Sequence, residues 1–197
     1  MTIFEAFISI RMSLSHKNPR EKLLSRMPKD SICAEVGVWK GDFSEKILKE
    51  TQPQRLYLID PWQFQPDFEK ALYGGKVAEN QGDMEKIYCG IEKKFENEIN
   101  ENKIVLLRGF SEQMFKEIQN GSLDWIYIDG NHTYEFAKKD LAYSLEKVKE
   151  GGFVTGDDYC EGSWWKGGVK KAVDEVIDQK LVKSYRIMGN QFILKKF

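Results

Sequence analysis

Short runs rich in β-branched and aliphatic residues recur along the chain at Ile32–Val36, Arg55–Ile59, Ile104–Leu107, Leu123–Ile128 and Gly152–Thr155. A longer stretch follows each run, in which apolar residues return every three or four positions. That alternation is the pattern of βαβ units. The clearest helix is expected from about Tyr134 to Lys149. There Ala137, Leu141, Leu145 and Val148 form one apolar stripe, Lys138, Lys139, Glu146 and Lys147 face away, and Gly151-Gly152 stops the helix. Parallel strands joined by helices need crossovers of one hand and are covered on both faces, so residues 1–160 read as a doubly wound open sheet. The tail departs from this pattern. Tyr185–Met188, the Gly189-Asn190 pair and Gln191–Leu194 predict an antiparallel hairpin that closes the sheet edge. The expected fold is α/β, a doubly wound, mostly parallel seven-stranded sheet with an antiparallel C-terminal hairpin.

Two stretches lie outside the alternation. Ile3, Phe7, Ile10 and Leu14 fall at helical spacing, which predicts an amphipathic helix packed on its own domain or on a second subunit of a homodimer. Glu5 precedes any Lys or Arg and no long apolar run follows, so the segment does not read as a signal peptide. The second stretch joins the strand ending at Asp60 to Ile104. Its first part, Pro61–Gly82, contains Gly74-Gly75 and little periodicity and is expected to form a mobile lid. A helix carrying Met84, Ile87, Ile91, Phe95 and Ile99 follows. No repeat or linker divides the chain, so residues 1–197 read as one domain, with a helical extension over 1–30 and a lid or insertion over 61–103.

Composition removes several function classes. Thirty Lys+Arg against thirty-one Asp+Glu give a net charge of −1, without the basic footprint of a nucleic-acid binder. Apolar residues are too dispersed for a membrane span of about 18 residues. Three cysteines share no C-x-x-C spacing, so neither a disulfide framework nor a zinc knuckle is expected, and a reducing, cytoplasmic setting fits. A small-molecule substrate is left as the expected partner.

Ligands of open α/β sheets bind beyond the carboxyl ends of the strands, and here those ends are acidic. They read Glu35-Val36-Gly37-Val38-Trp39-Lys40-Gly41, Leu58-Ile59-Asp60, Ile128-Asp129-Gly130-Asn131-His132 and Gly156-Asp157-Asp158-Tyr159. Gly37 permits a tight strand-to-helix turn and Gly41 would let the backbone approach a ligand, but the spacing is neither G-x-G-x-x-G nor a P-loop. Asp60 can accept both hydroxyls of a ribose. If the fourth and fifth strands are neighbours, their ends lie about 4.8 Å apart. Asp129, Asp157 and Asp158 would then repel by roughly 4 kcal/mol per close pair, which a cation or proton uptake must relieve. Oxygen ligands without cysteine point to Mg²⁺; alternatively, the adjacent Asp157 and Asp158 point to opposite sides. His132 is suited to take a hydroxyl proton near neutrality, or is a loop histidine bonded to backbone. Trp164 and Trp165 would wall a pocket or divide between core and surface, Trp62 contacts a ligand or anchors its loop, and His16 reads as solvated.

Together Glu35-x-Gly37-x-x-x-Gly41, Asp60, Ile128-Asp129-Gly130-Asn131-His132-x-Tyr134 and Gly156-Asp157-Asp158-Tyr159 resemble class I S-adenosylmethionine-dependent methyltransferases. More narrowly, they are similar to the metal-dependent small-molecule O-methyltransferases related to macrolide-sugar methyltransferases and cephalosporin-biosynthesis proteins. The resemblance runs from Ser31 to the C-terminus, apart from Pro61–Lys103. It implies that Glu35 and Gly37 hold the methionine end of S-adenosylmethionine, that Gly41 helps shape the turn, and that Asp60 grips the ribose. It further implies that Gly109, Phe110 and Ser111 border the adenine, although the Ser111 side chain can instead cap a helix over Glu112–Gln119. The expected reaction is methylation of a hydroxyl on a sugar, polyketide or phenol, with Mg²⁺ on Asp129, Asp157 and Asp158 and with His132 as base. Two rivals stand beside it: a metal-independent methyl or aminopropyl transferase on the same fold, and a noncatalytic cofactor-binding protein.

Overall fold

A computed structural model describes residues 18–66, 78–162 and 164–197. The helix expected around Ile3–Leu14 and the middle of the expected lid lie outside the described residues. In chain order the elements are α1 (Pro19–Leu24), β1 (Ile32–Val36), α2 (Asp42–Thr51), β2 (Arg55–Asp60), α3 (Gln81–Lys94), α4 (Glu96–Asn100) and β3 (Ile104–Arg108). They continue with α5 (Ser111–Met114), a 3₁₀ turn at Phe115–Glu117, β4 (Leu123–Ile128), α6 (Tyr134–Lys147), β5 (Val148–Gly156), α7 (Gly168–Asp178), β6 (Ser184–Met188) and β7 (Gln191–Lys195).

The seven strands form one sheet in the order β3-β2-β1-β4-β5-β7-β6. The first five are parallel, with Val36 beside Ile59 and Ile128 and with Ile128 beside Gly156. β7 runs antiparallel to β5 and pairs with β6 in the expected hairpin. Alternation along the strands feeds two cores. Ala34, Val36, Ile59, Ile126 and Ile128 pack on one side with Ala137 and Leu141 of α6 and Val169 and Val173 of α7. Cys33, Leu58, Trp125 and Tyr127 pack on the other with Leu23 and Leu24 of α1, Phe43 and Ile47 of α2 and Ile91 of α3. Cys33–Val36 and Trp125–Ile128 of the two central strands are therefore buried whichever way they point, which is why these strands read as near-continuous apolar runs.

Three local expectations change. The helix after β4 stops at Lys147, and Val148 opens β5 by pairing with Leu123 across a register shift, so it is buried as a strand residue. Lys147, expected to face outward, is buried along its stem while its ammonium donates to Asn120 Oδ1 at 2.6 Å. Ser111 starts a single helical turn, capped at its N-terminus by Phe110 without a side-chain bond, in place of a helix over 112–119.

Candidate active site

The carboxyl ends of β1, β2, β4 and β5 open into a cavity of about 490 Å³. This is the position that a doubly wound sheet reserves for a ligand, and the volume suits a cofactor-sized one. The glycine turn after β1 forms its first wall. Gly37 has φ +86°, and a Cβ there would lie 2.1 Å from the Asp129 carbonyl oxygen, so the turn is pressed against the end of β4. Glu35, just before it, is 1 % exposed and accepts the Ser44 hydroxyl. Burial drives its carboxyl up to about 8; the Ser44 bond opposes this, while the charges of Asp129 and Asp60 reinforce it.

Gly41 serves a purpose other than the one expected. It lies away from the cavity with φ +73°, and a Cβ there would meet Phe95 at 2.7 Å and Ile91 at 2.9 Å. The side chains of α3 and of the residue that follows it crowd this position and leave space for a glycine. Asp60 lines the cavity as expected, and its carboxylate also holds the turn together. Oδ2 accepts the Val38 and Trp39 amides at 2.9 and 3.0 Å, and Oδ1 accepts the Trp62 amide at 2.8 Å. Trp62 is the anchor of its loop, fully buried, with Nε1 donating to the Trp39 carbonyl at 3.0 Å.

Gly109, Phe110 and Ser111 line the opposite end of the cavity, joined there by Asp140 of α6. The Ser111 hydroxyl donates to Asp140 Oδ1 at 2.5 Å, so this side chain does not cap the helix. Sequence reasoning passed over Asp140. A signal was present, because an acid three residues after Ala137 and one before Leu141 falls on the apolar stripe of its helix.

The acidic end also differs from expectation. Asp157 does not join Asp129 and Asp158; among the described residues, the ligand atoms lying within 4.8 Å of one another belong to Asp129, His132 and Asp158. Asp157 is already fully engaged. Its Oδ2 accepts Arg20 Nε at 2.6 Å, and its Oδ1 accepts the Asp158 amide at 2.7 Å and the Gln191 side chain. Asp158 turns the other way, with φ +58°, and its Oδ2 meets His132 Nδ1 at 2.9 Å. The cation that relieves the repulsion is the Arg20 guanidinium, which bridges Asp157 and Asp129, the latter at 2.9 Å. Burial nevertheless raises the Asp129 carboxyl to about 6, aided by Asp157 and Asp158 and opposed by Arg20 and His132. For His132, burial disfavours the charged ring, but the Asp158 bond and the surrounding carboxylates outweigh it and the pKa rises. Trp164 and Trp165 both line the cavity, edge to face at 5.7 Å, with the His132 ring 5.2 Å from that of Trp165.

A family model described as a methyltransferase domain matches residues 34–159, from β1 to just past the Asp157-Asp158 pair. The chain belongs to the methyltransferase-domain family. Solved structures agree on the fold. The O-methyltransferase NovP superposes with a TM-score of 0.60 at 20% identity, covering 90% of this chain and 79% of that one. A Bacillus cereus O-methyltransferase in complex with SAH gives 0.60 at 12%, covering 90% and 78%. MycE, from the mycinamycin biosynthetic pathway and solved with Mg and SAH, gives 0.53 at 16%, covering 85% and 45%. No curated protein sequence matches the chain. This methyltransferase is of the class I, S-adenosylmethionine-dependent kind: its matched segment contains the glycine turn, Asp60 and the acidic strand ends that form the cavity. Among the described residues no helix is long and apolar enough to cross a membrane.

Proposed function

We propose that this methyltransferase transfers the sulfonium methyl of S-adenosylmethionine to a hydroxyl of a small molecule, with His132 as general base. The observation that carries this reading is the 2.9 Å contact between His132 Nδ1 and Asp158 on the cavity wall. A carboxylate on Nδ1 fixes the ring and leaves Nε2 as the nitrogen that takes the proton, the arrangement in which an imidazole serves as base. Trp164 and Trp165 beside it offer an apolar wall against which an acceptor can lie. The cofactor would extend from Glu35 and Gly37, past Asp60, to Gly109–Ser111. S-adenosylmethionine is already a strong alkyl donor, so holding donor and acceptor in line supplies about 7–11 kcal/mol of the barrier reduction.

Asp129, Asp158 and His132 offer enough ligand atoms, closely enough spaced, to fit a divalent cation. Mg²⁺, which prefers oxygen, would use the two carboxylates, with Asp157 kept by Arg20. When bound it would polarise the acceptor hydroxyl and lower its pKa. The family resemblance of the acidic strand ends, and the similarity of the fold to the O-methyltransferase NovP and to MycE, solved with Mg, support this assignment.

The test is the initial rate of methyl transfer from labelled cofactor to sugar, polyketide and phenolic acceptors, against pH and with or without chelator. Because His132 must be neutral to act, the acidic limb should lie above its ordinary pKa of about 6.5. His132→Ala should lose roughly 10²–10⁴ in rate together with that limb. A variant with the parent's rate and profile excludes the base, and full activity in excess chelator excludes the metal.

A further inference from the structure

Asp140 is a carboxylate without an assigned task, 3 % exposed on the inner face of α6. Its hydrogen-bond partner among the described residues is the Ser111 hydroxyl, and the charge that acts on it is the like charge of Glu112. Among the described residues no ion pair compensates its burial, and an apolar residue would complete the stripe of Ala137 and Leu141 more simply. A buried carboxylate is tolerated where donors reach it, and one hydroxyl uses only part of the acceptor capacity of two oxygens. The remaining capacity faces the cavity, because Asp140 lines it together with Phe110, Ser111 and Gly130. Its Oδ2 lies 3.6 Å from the place a Cβ on Gly130 would occupy, which puts the carboxylate between the turns that follow β3 and β4.

We propose that Asp140, held by Ser111, accepts a hydrogen bond from the 6-amino group of the cofactor's purine and so selects an adenosine cofactor over its 6-oxo counterpart. The inference rests on the reading that the adenine lies at Gly109–Ser111. The chemistry is complementary at a single atom pair. Adenine presents an N6 donor, whereas a 6-oxopurine presents an acceptor that a carboxylate repels. Ser111 keeps the carboxylate from rotating away. Asp140 is thus a specificity residue, and it bonds to the cofactor at a distance from the reacting methyl.

Calorimetry with the full chain at pH 8, where Asp140 is ionised, separates this role from a merely structural one. The ligands are S-adenosylhomocysteine and S-inosylhomocysteine, which differ at position 6. The wild type should bind the adenosine compound about 10- to 100-fold more tightly, the worth of one hydrogen bond to a charged group. In Asp140→Asn, whose amide can turn its NH₂ to a 6-oxo group, the ratio should collapse toward one or invert. A fastener between α5 and α6 would act differently, weakening both ligands by the same factor and leaving the ratio intact; that result overturns the proposal. Equal affinities in the wild type overturn it without any variant, should Asp140→Asn fail to fold. Failure of the wild type to bind S-adenosylhomocysteine at all would instead refute the cofactor placement.

Discussion

Replacing Arg20 with methionine keeps the length and apolar bulk of the side chain over Phe43 but removes the charge that bridges Asp129 and Asp157. Those two side chains are 17% and 11% exposed, against 38% for Arg20. Stripping one partner from a buried ion pair costs about 3–5 kcal/mol. Solvent reaches more than a third of the Arg20 side chain, and Asp157 keeps its bonds from Gln191 and the Asp158 amide, so the expected loss is reduced to about 2–3 kcal/mol. For a chain of this size the melting temperature should fall by roughly 4–12 °C at pH 8, followed by circular dichroism. The pH dependence has a definite sign. Asp129 already titrates near 6 in the folded protein, above its ordinary 3.8, and losing Arg20 removes an influence that lowers it. A carboxyl whose folded pKa is raised loses stability as pH rises through that value, so the variant should suffer most above about pH 7. The gap to wild type should narrow toward pH 5, as the carboxylates take up protons. Millimolar Mg²⁺ should recover more of the loss in Arg20→Met than it adds to wild type. A gap that stays constant from pH 5 to 8, or no loss at all, would refute the assignment of Arg20 as the counter-cation of these strand ends.

Glu35 titrates near 8 in the protein, so it is largely protonated at pH 7; a cofactor bringing its ammonium close should expel nearly one proton and bind more tightly as pH rises toward 8. Calorimetry in buffers of different ionisation enthalpy reads this directly, and Glu35→Gln should abolish the release. Gly37→Ala forces a Cβ onto the backbone oxygen of Asp129 at positive φ and should prevent native folding, whereas Gly41→Ala meets only the side-chain ends of Phe95 and Ile91 and should cost about 1–3 kcal/mol in urea denaturation. Equal losses would contradict the distinction. Asp60→Ala should accelerate amide exchange at Val38, Trp39 and Trp62, the three groups its carboxylate holds; unchanged protection would show that the turn stands without it.

The periodicity of apolar residues located the strands and the larger helices because that pattern is imposed by burial on both faces of the sheet. The acidic strand ends were legible for a related reason: topology alone sends them to one side. What periodicity cannot convey is which charges meet. Arg20 lies 137 positions before Asp157, in a segment read as an extension, so the repulsion was visible in the sequence while the cation relieving it was not. Gly41 was legible as a glycine needed for its conformation, but the residues that crowd it come from the insertion whose packing has no local signature. The Asp157-Asp158 pair shows the same limit. Adjacency implies divergent side chains, yet only the left-handed turn at Asp158 decides which of the two faces His132.

The charge around the cavity accounts for one more property of the site. Asp60, Asp129, Asp140 and Asp158 line it, and among the described residues Arg20 is the one Lys or Arg that does so. Backbone amides hold Asp60 and the Ser111 hydroxyl holds Asp140, donors that steady a carboxylate without neutralising it. Arg20 is already shared between Asp129 and Asp157, which leaves the wall negative. S-adenosylmethionine carries a permanent positive charge on its sulfur, and that charge disappears when the methyl leaves. An acid-lined cavity therefore attracts the cofactor more strongly than its demethylated product, at about 1 kcal/mol per unit charge at 4 Å in a water-like medium and more as solvent is excluded. Loss of charge at the sulfur weakens the product's hold just when it must depart, so the acidic wall favours turnover as well as binding.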